Sequence, residues 1–123
     1  MADKRLLVCD DEVAVGRFVR NVVEPLGFDV QLTTSGQEFI DCYDAFQPTA
    51  ILLDMVMPGM DGNEIILWLA KRRCPSRLIM MTGYHPQYAD HASILARYNG
   101  IEASVTLQKP FDIDDLLAAL GTE

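Results

Sequence analysis

Five short apolar runs, separated by amphipathic segments, constrain this chain more than any other feature. "RLLVC" (Arg5 to Cys9), "FDVQLTT", "TAILLD", "RLIMMT" and "ASVTLQ" have the length and β-branched or aliphatic content of strands. Short buried strands that alternate with helices call for a parallel sheet covered on both faces by right-handed crossovers. The expected fold is therefore α/β: a five-stranded parallel sheet of order 2-1-3-4-5, flavodoxin-like and doubly wound, with five helices. At 123 residues, the expectation is one domain spanning residues 1–123.

The helices are read from spacing and caps. In "VAVGRFVRNVVEPLG", Val15, Phe18, Val19, Val22 and Leu26 share a face, Pro25 tightens the last turn and Gly27 makes the exit. "SGQE" at Ser35 to Glu38 fits a capping box before a helix with Phe39, Cys42, Tyr43 and Phe46 on one side, stopped by Pro48. "DGNE" at Asp61 to Glu64 opens a third helix with Ile65, Ile66 and Leu69 inward. "HPQYADHASILARYNG", His85 to Gly100, reads as a fourth. The fifth carries Asp112 as N-cap and Ile113, Leu116, Leu117 and Leu120 at helical spacing.

Charge and cysteine usage exclude several function classes. The net charge is −8 and the pI about 4.6, so the basic footprint of a direct nucleic-acid binder is missing. The small cluster Lys71 to Arg73 suits the C-terminal turn of a helix, where cations oppose the dipole. No apolar run approaches the ~20 residues of a membrane span, and the start lacks a signal-peptide pattern. No membrane association and cytoplasmic residence are expected. Cys9, Cys42 and Cys74 lack disulfide or zinc spacing and read as reduced thiols.

In a sheet of this order the ligand crevice lies beyond the C-terminal strand ends. Strand one ends in Asp10, Asp11 and Glu12, strand three in Asp54, strand four in Thr82-Gly83, and strand five in Gln108-Lys109-Pro110. Taken singly, each has an ordinary reading as a turn or cap residue. Together they gather carboxylates in one crevice, with a hydroxyl and an ammonium at its far side. Two like charges 4 Å apart cost about 4 kcal/mol at an effective dielectric of ~20. A hard dication such as Mg²⁺ relieves that repulsion and keeps positions open for phosphate oxygens. Thr82 and Lys109 can each donate to a phosphoryl oxygen, and Asp54 is placed to attack phosphorus as a carboxylate nucleophile.

"LLVCDDE", "ILLDMVMPGMDG", "IMMTG" and "QKPF", in this order and over essentially the whole chain, resemble the receiver domain of two-component response regulators. The resemblance implies that Asp54 accepts a phosphoryl group from a histidine kinase or histidine phosphotransfer protein. It implies a Mg²⁺ pocket of Asp10, Asp11, Asp54 and the backbone carbonyl of Val56. It also implies a turn at Met57 to Gly59, a switching hydroxyl on Thr82, a phosphate-binding Lys109 and a cis peptide at Lys109–Pro110. A downstream output protein or fused domain, and a phosphorylation-dependent homodimer, are the implied readers. Two departures stand out. Thr106 occupies a position where many receivers carry an aromatic, and the stretch from Thr82 to Lys109 is longer than usual, with a likeness to receivers joined to cyclic-dinucleotide phosphodiesterases.

Two rival readings are a Mg²⁺-dependent aspartyl-phosphate phosphatase and a constitutive interaction module. The phosphatase needs a second carboxylate two residues after its nucleophile, where this chain has Val56. The inert module does not call for Asp10, Asp11, Asp54, Thr82 and Lys109 all together. The expected protein is thus not a turnover enzyme: it catalyses only its own phosphoryl transfer and slow autodephosphorylation. Val56 cannot orient a water and Tyr84 is bulky, so these two should prolong the phosphorylated state.

Overall fold

A computed structural model describes residues 4–57, 59, 62–73, 76–83 and 104–121. Five strands, β1 (Arg5–Cys9), β2 (Asp29–Thr33), β3 (Ala50–Asp54), β4 (Arg77–Thr82) and β5 (Ser104–Gln108), form one parallel sheet. Its order is β2-β1-β3-β4-β5, as expected. The helices among the described residues are α1 (Val13–Val23), α2 (Gly36–Phe46), α3 (Gly62–Lys71) and α4 (Ile113–Leu120). The helix expected over residues 85–100 lies outside the described residues, as do Cys74 and Tyr84.

Strand side chains alternate between two cores, because successive residues point to opposite faces. Leu7, Cys9, Ile51, Leu53, Leu78 and Met80 pack with Phe39 and Tyr43 of α2 and with Ile65, Ile66 and Leu69 of α3. Leu6, Val8, Leu52, Ile79, Met81 and Leu107 pack on the other face with Val19 and Val23 of α1 and with Leu116, Ala119 and Leu120 of α4. β3 is buried throughout, as expected of the central strand.

Two helical faces depart from the sequence reading. In α1 the buried seam is Gly16, Val19 and Val23, while Phe18 and Leu26 are exposed. Pro25 turns the last residues into a 3-10 turn, closed by Gly27 at φ 96°, and this rotates Leu26 off the helical face. Phe18 faces the β5–α4 connection, where its ring lies 6.0 Å from that of Phe111. In α4 the seam is Leu116, Ala119 and Leu120, and Ile113 is exposed. Asp112 does cap α4, in a reciprocal box with Asp115. The box expected at Ser35 is half displaced: Ser35 accepts from the Glu38 amide, but Glu38 reaches back to Thr34 rather than to Ser35. The basic cluster closes α3 as read. Arg72 stacks 4.7 Å above the Trp68 ring and pairs with Asp44.

Candidate functional site

β1 and β3 are neighbours with Cys9 opposite Leu53, so the residues that follow leave the sheet side by side. These are Asp10, which is buried, and Asp54, the last residue of β3 and almost fully buried. Asp11 follows Asp10 on the open side. One oxygen from each of Asp10, Asp11 and Asp54 lies within 4.8 Å of the other two. Lys109, just beyond β5, closes the group: its Nζ is 2.7 Å from Asp10 Oδ2, 3.4 Å from Asp54 Oδ2 and 3.7 Å from Glu12 Oε1. The Lys109 amide donates to the Thr82 carbonyl at 2.7 Å, which ties the β5 end to the β4 end. Lys109–Pro110 is a cis peptide bond.

Each carboxylate is held by local backbone. Asp10 Oδ1 accepts from the Glu12 amide at 2.9 Å, and Asp54 Oδ1 accepts from the Val56 amide at 3.2 Å. The segment after Asp54 is anchored by alternation. Met55 and Met57 point into the core, so Val56 between them points outward and is 62% exposed. Gly59 turns the chain at φ 82°. Gly62 then brings α3 against the backbone of Met55, where an added Cβ would lie 2.7 Å from the Met55 Cα. Only glycine permits that approach.

The electrostatics are those of an overfilled acidic site. Burial pushes the Asp54 carboxyl up to about 6, with Asp10 adding to the rise, against the opposing Val56 amide and Lys109. Burial alone would lower the Lys109 ammonium, but its contact with Asp10, followed by Asp54 and Glu12, holds it above the ordinary range. Burial pushes the Cys9 thiol up to about 12, so the cysteine beside the site is no thiolate nucleophile.

Among the described residues, the buried Asp10 Oδ2 is met by the Lys109 ammonium alone, at 2.7 Å. An all-oxygen donor set with a buried, incompletely satisfied carboxylate oxygen fits a hard dication of the Mg²⁺ class. The three carboxylates named from the sequence are therefore the ones the fold brings together, with Lys109 among them.

Above this group opens a cleft of about 690 Å³. Asp11, Glu12, Asp54, Thr82 and Lys109 supply its polar walls, while Phe18, Val56, Pro110 and Phe111 supply apolar ones. Thr106 is exposed on β5 and lines a second depression beside α4, which shares Lys109 and Pro110 with the cleft. Glu12, which the sequence sets at the end of strand one without a role, reaches Lys109. Phe18, expected on the buried face of its helix, lines the cleft instead, and no local pattern marks Gly62 as a contact point.

Compared with known proteins, residues 6–121 match the family model described as response regulator receiver domain. "Response regulator MprA" of Mycolicibacterium vanbaalenii is 30% identical over 118 residues, which is 94% of this chain and 48% of that protein. The chain thus spans about half the length of the curated relatives it matches. Among solved structures, a CheY-like response regulator receiver domain protein from Methanospirillum hungatei superposes with a TM-score of 0.82 at 26% identity, covering 98% of this chain and 92% of that one. A response regulator from Colwellia psychrerythraea gives 0.78 at 28% identity, covering 98% and 95%.

Proposed function

The chain belongs to the response regulator receiver domain family, and from that premise we propose that it is a signalling switch thrown by phosphorylation of Asp54. The donor is the phosphohistidine of a histidine kinase or phosphotransfer protein. The observation that carries the reading is the convergence of Asp10, Asp11 and Asp54 with Lys109 at one end of the sheet.

Asp54 attacks phosphorus through a carboxylate oxygen, and its raised pKa leaves it ionised at neutral pH. Lys109 stands 3.4 Å from that carboxylate, within reach of an oxygen of the incoming phosphoryl group. Thr82, at the adjacent strand end, supplies a hydroxyl that can follow the new charge and bias the loop after β4. Asp10, Asp11, Asp54 and the Val56 carbonyl would hold Mg²⁺, which when bound supplies neutralisation of charge on the phosphoryl oxygens. The domain performs its own phosphorylation and slow dephosphorylation but turns over no other substrate. Val56, exposed beside Asp54, offers no hydrogen bond to a hydrolytic water.

The readers of the switch are an output protein or fused domain, and a second copy of the chain upon phosphorylation. The family's regulators MprA and TrcR, of which this chain covers 48% and 43%, support such an output partner. Among the described residues no helix is long and apolar enough to cross a membrane, which accords with cytoplasmic residence.

Incubation with acetyl phosphate and Mg²⁺ should add one phosphoryl group by intact mass. Asp54→Ala or EDTA should prevent it. Labelling that persists in Asp54→Ala would remove the assignment.

A further inference from the structure

Glu12 stands where a helix N-cap belongs, yet its side chain makes no capping hydrogen bond. Its carboxylate is 67% exposed and faces the cleft instead, 3.7 Å from the Lys109 ammonium. That ammonium is already engaged more closely by Asp10 at 2.7 Å, and it touches Asp54 at 3.4 Å. Glu12 is therefore surplus to neutralising Lys109. It places an exposed negative charge on the wall of the cleft that Asp54 also lines, while Asp54 itself is buried.

Resting on the phosphoacceptor reading above, we propose that Glu12 is a specificity-determining residue that selects phosphodonors by the charge of the leaving group. It favours N-phosphorylated donors, whose leaving group is already protonated and departs neutral, over acyl phosphates. An oxygen of Asp54 forms the O–P bond while the bond to the leaving group breaks and its electron pair departs with that group. From a phosphoimidazole protonated at its other ring nitrogen the departing imidazole is neutral, and from protonated phosphoramidate the departing group is neutral ammonia, so no negative charge builds up in the cleft. From an acyl phosphate it departs as a carboxylate, and negative charge builds up beside Glu12. The phosphoryl group is common to both donors and suffers the same repulsion in each. The ratio of the two rate constants therefore isolates the leaving group. Discrimination of this kind is electrostatic, so it is screened by salt.

The test is time-resolved intact-mass measurement of wild type, Glu12→Gln and Glu12→Asp at saturating Mg²⁺, with acetyl phosphate or phosphoramidate as the only donor. Glu12→Gln should raise the second-order rate constant for acetyl phosphate relative to that for phosphoramidate by about fivefold at low salt. Glu12→Asp should keep the wild-type ratio. The difference between wild type and Glu12→Gln should close at about 1 M salt, where the Debye length is ~3 Å. A purely structural role for Glu12, or an effect through Mg²⁺, changes both donors by one factor and leaves their ratio fixed. That result overturns the inference about Glu12 alone. Labelling of the wild type by neither donor overturns the phosphoacceptor reading, and this inference with it.

Discussion

The two ends of the sheet use buried polar groups in opposite ways. At the N-terminal end the half-buried Thr49 and Arg77 and the buried Ser76 each have a partner. Thr49 Oγ1 accepts from the Arg5 amide at 3.0 Å and donates to the Arg5 carbonyl. Buried Ser76 donates to the Pro48 carbonyl at 2.6 Å, and the Arg77 guanidinium donates to the Ala119 carbonyl near the end of α4. At the C-terminal end Asp10 and Asp54 crowd together, and among the described residues Lys109 alone offsets the several carboxylates and is the only partner of Asp10 Oδ2. Satisfied polar groups pin strand ends and helix ends to one another. Unsatisfied ones store an affinity for whatever completes them; on the reading proposed above, that is a cation and a phosphoryl group.

This contrast can be broken by substitution. Lys109→Ala should have the largest effect, lowering the rate of phosphorylation by acetyl phosphate by about 10²–10³, the scale of losing one charge-stabilising donor. A rate within a factor of two of wild type would show that Lys109 serves the fold only. Asp54→Asn should stabilise the metal-free protein at pH 7, by up to a few kcal/mol. The folded carboxyl titrates near 6, above its ordinary 3.8, so folding favours the protonated form. The cost of ionising Asp54 therefore accumulates as pH rises from about 4 to about 6 and stays constant above. Urea unfolding in EDTA should show the advantage of Asp54→Asn shrinking as pH falls through 6 and vanishing near 4. An advantage independent of pH would contradict the assignment of the strain to Asp54.

Ser76→Ala, at the opposite end, should cost about 1–3 kcal/mol in the same unfolding assay, because it strands a buried carbonyl. It should leave the phosphorylation rate unchanged, and a coupled loss of both would blur the division between the two ends. The smallest effect concerns signal lifetime. Val56→Asn with Tyr84→Glu should speed loss of phosphate about tenfold, equal to ~1.4 kcal/mol of barrier, by orienting a water that Val56 cannot. Equal decay in wild type and variant would show that these positions do not set the lifetime.

The strand assignments, the sheet order and the gathering of Asp10, Asp11, Asp54 and Lys109 were all legible in the residues. Each depends on a property carried along the chain: apolar runs of strand length, their alternation with helices, and an ionisable residue placed at a run's end. A parallel sheet brings all such ends to one side, so the site follows from the topology. Burial of individual helical residues was less legible. Periodicity gives a face, but the crossing angle and the neighbours choose which edge of that face is covered. Phe18 and Ile113 fit their helical stripes and are nonetheless exposed, because Val19 and Val23 in α1, and Leu116 and Leu120 in α4, meet the sheet squarely. Likewise, only the tertiary structure could decide that Lys109 lies closer to Asp10 than to Asp54, that Glu12 forgoes its cap to face the ammonium, and that Gly62 touches the backbone of Met55. Those facts depend on distances between segments far apart in the chain. Such distances are set by how the helices seat on the sheet, which no local pattern encodes.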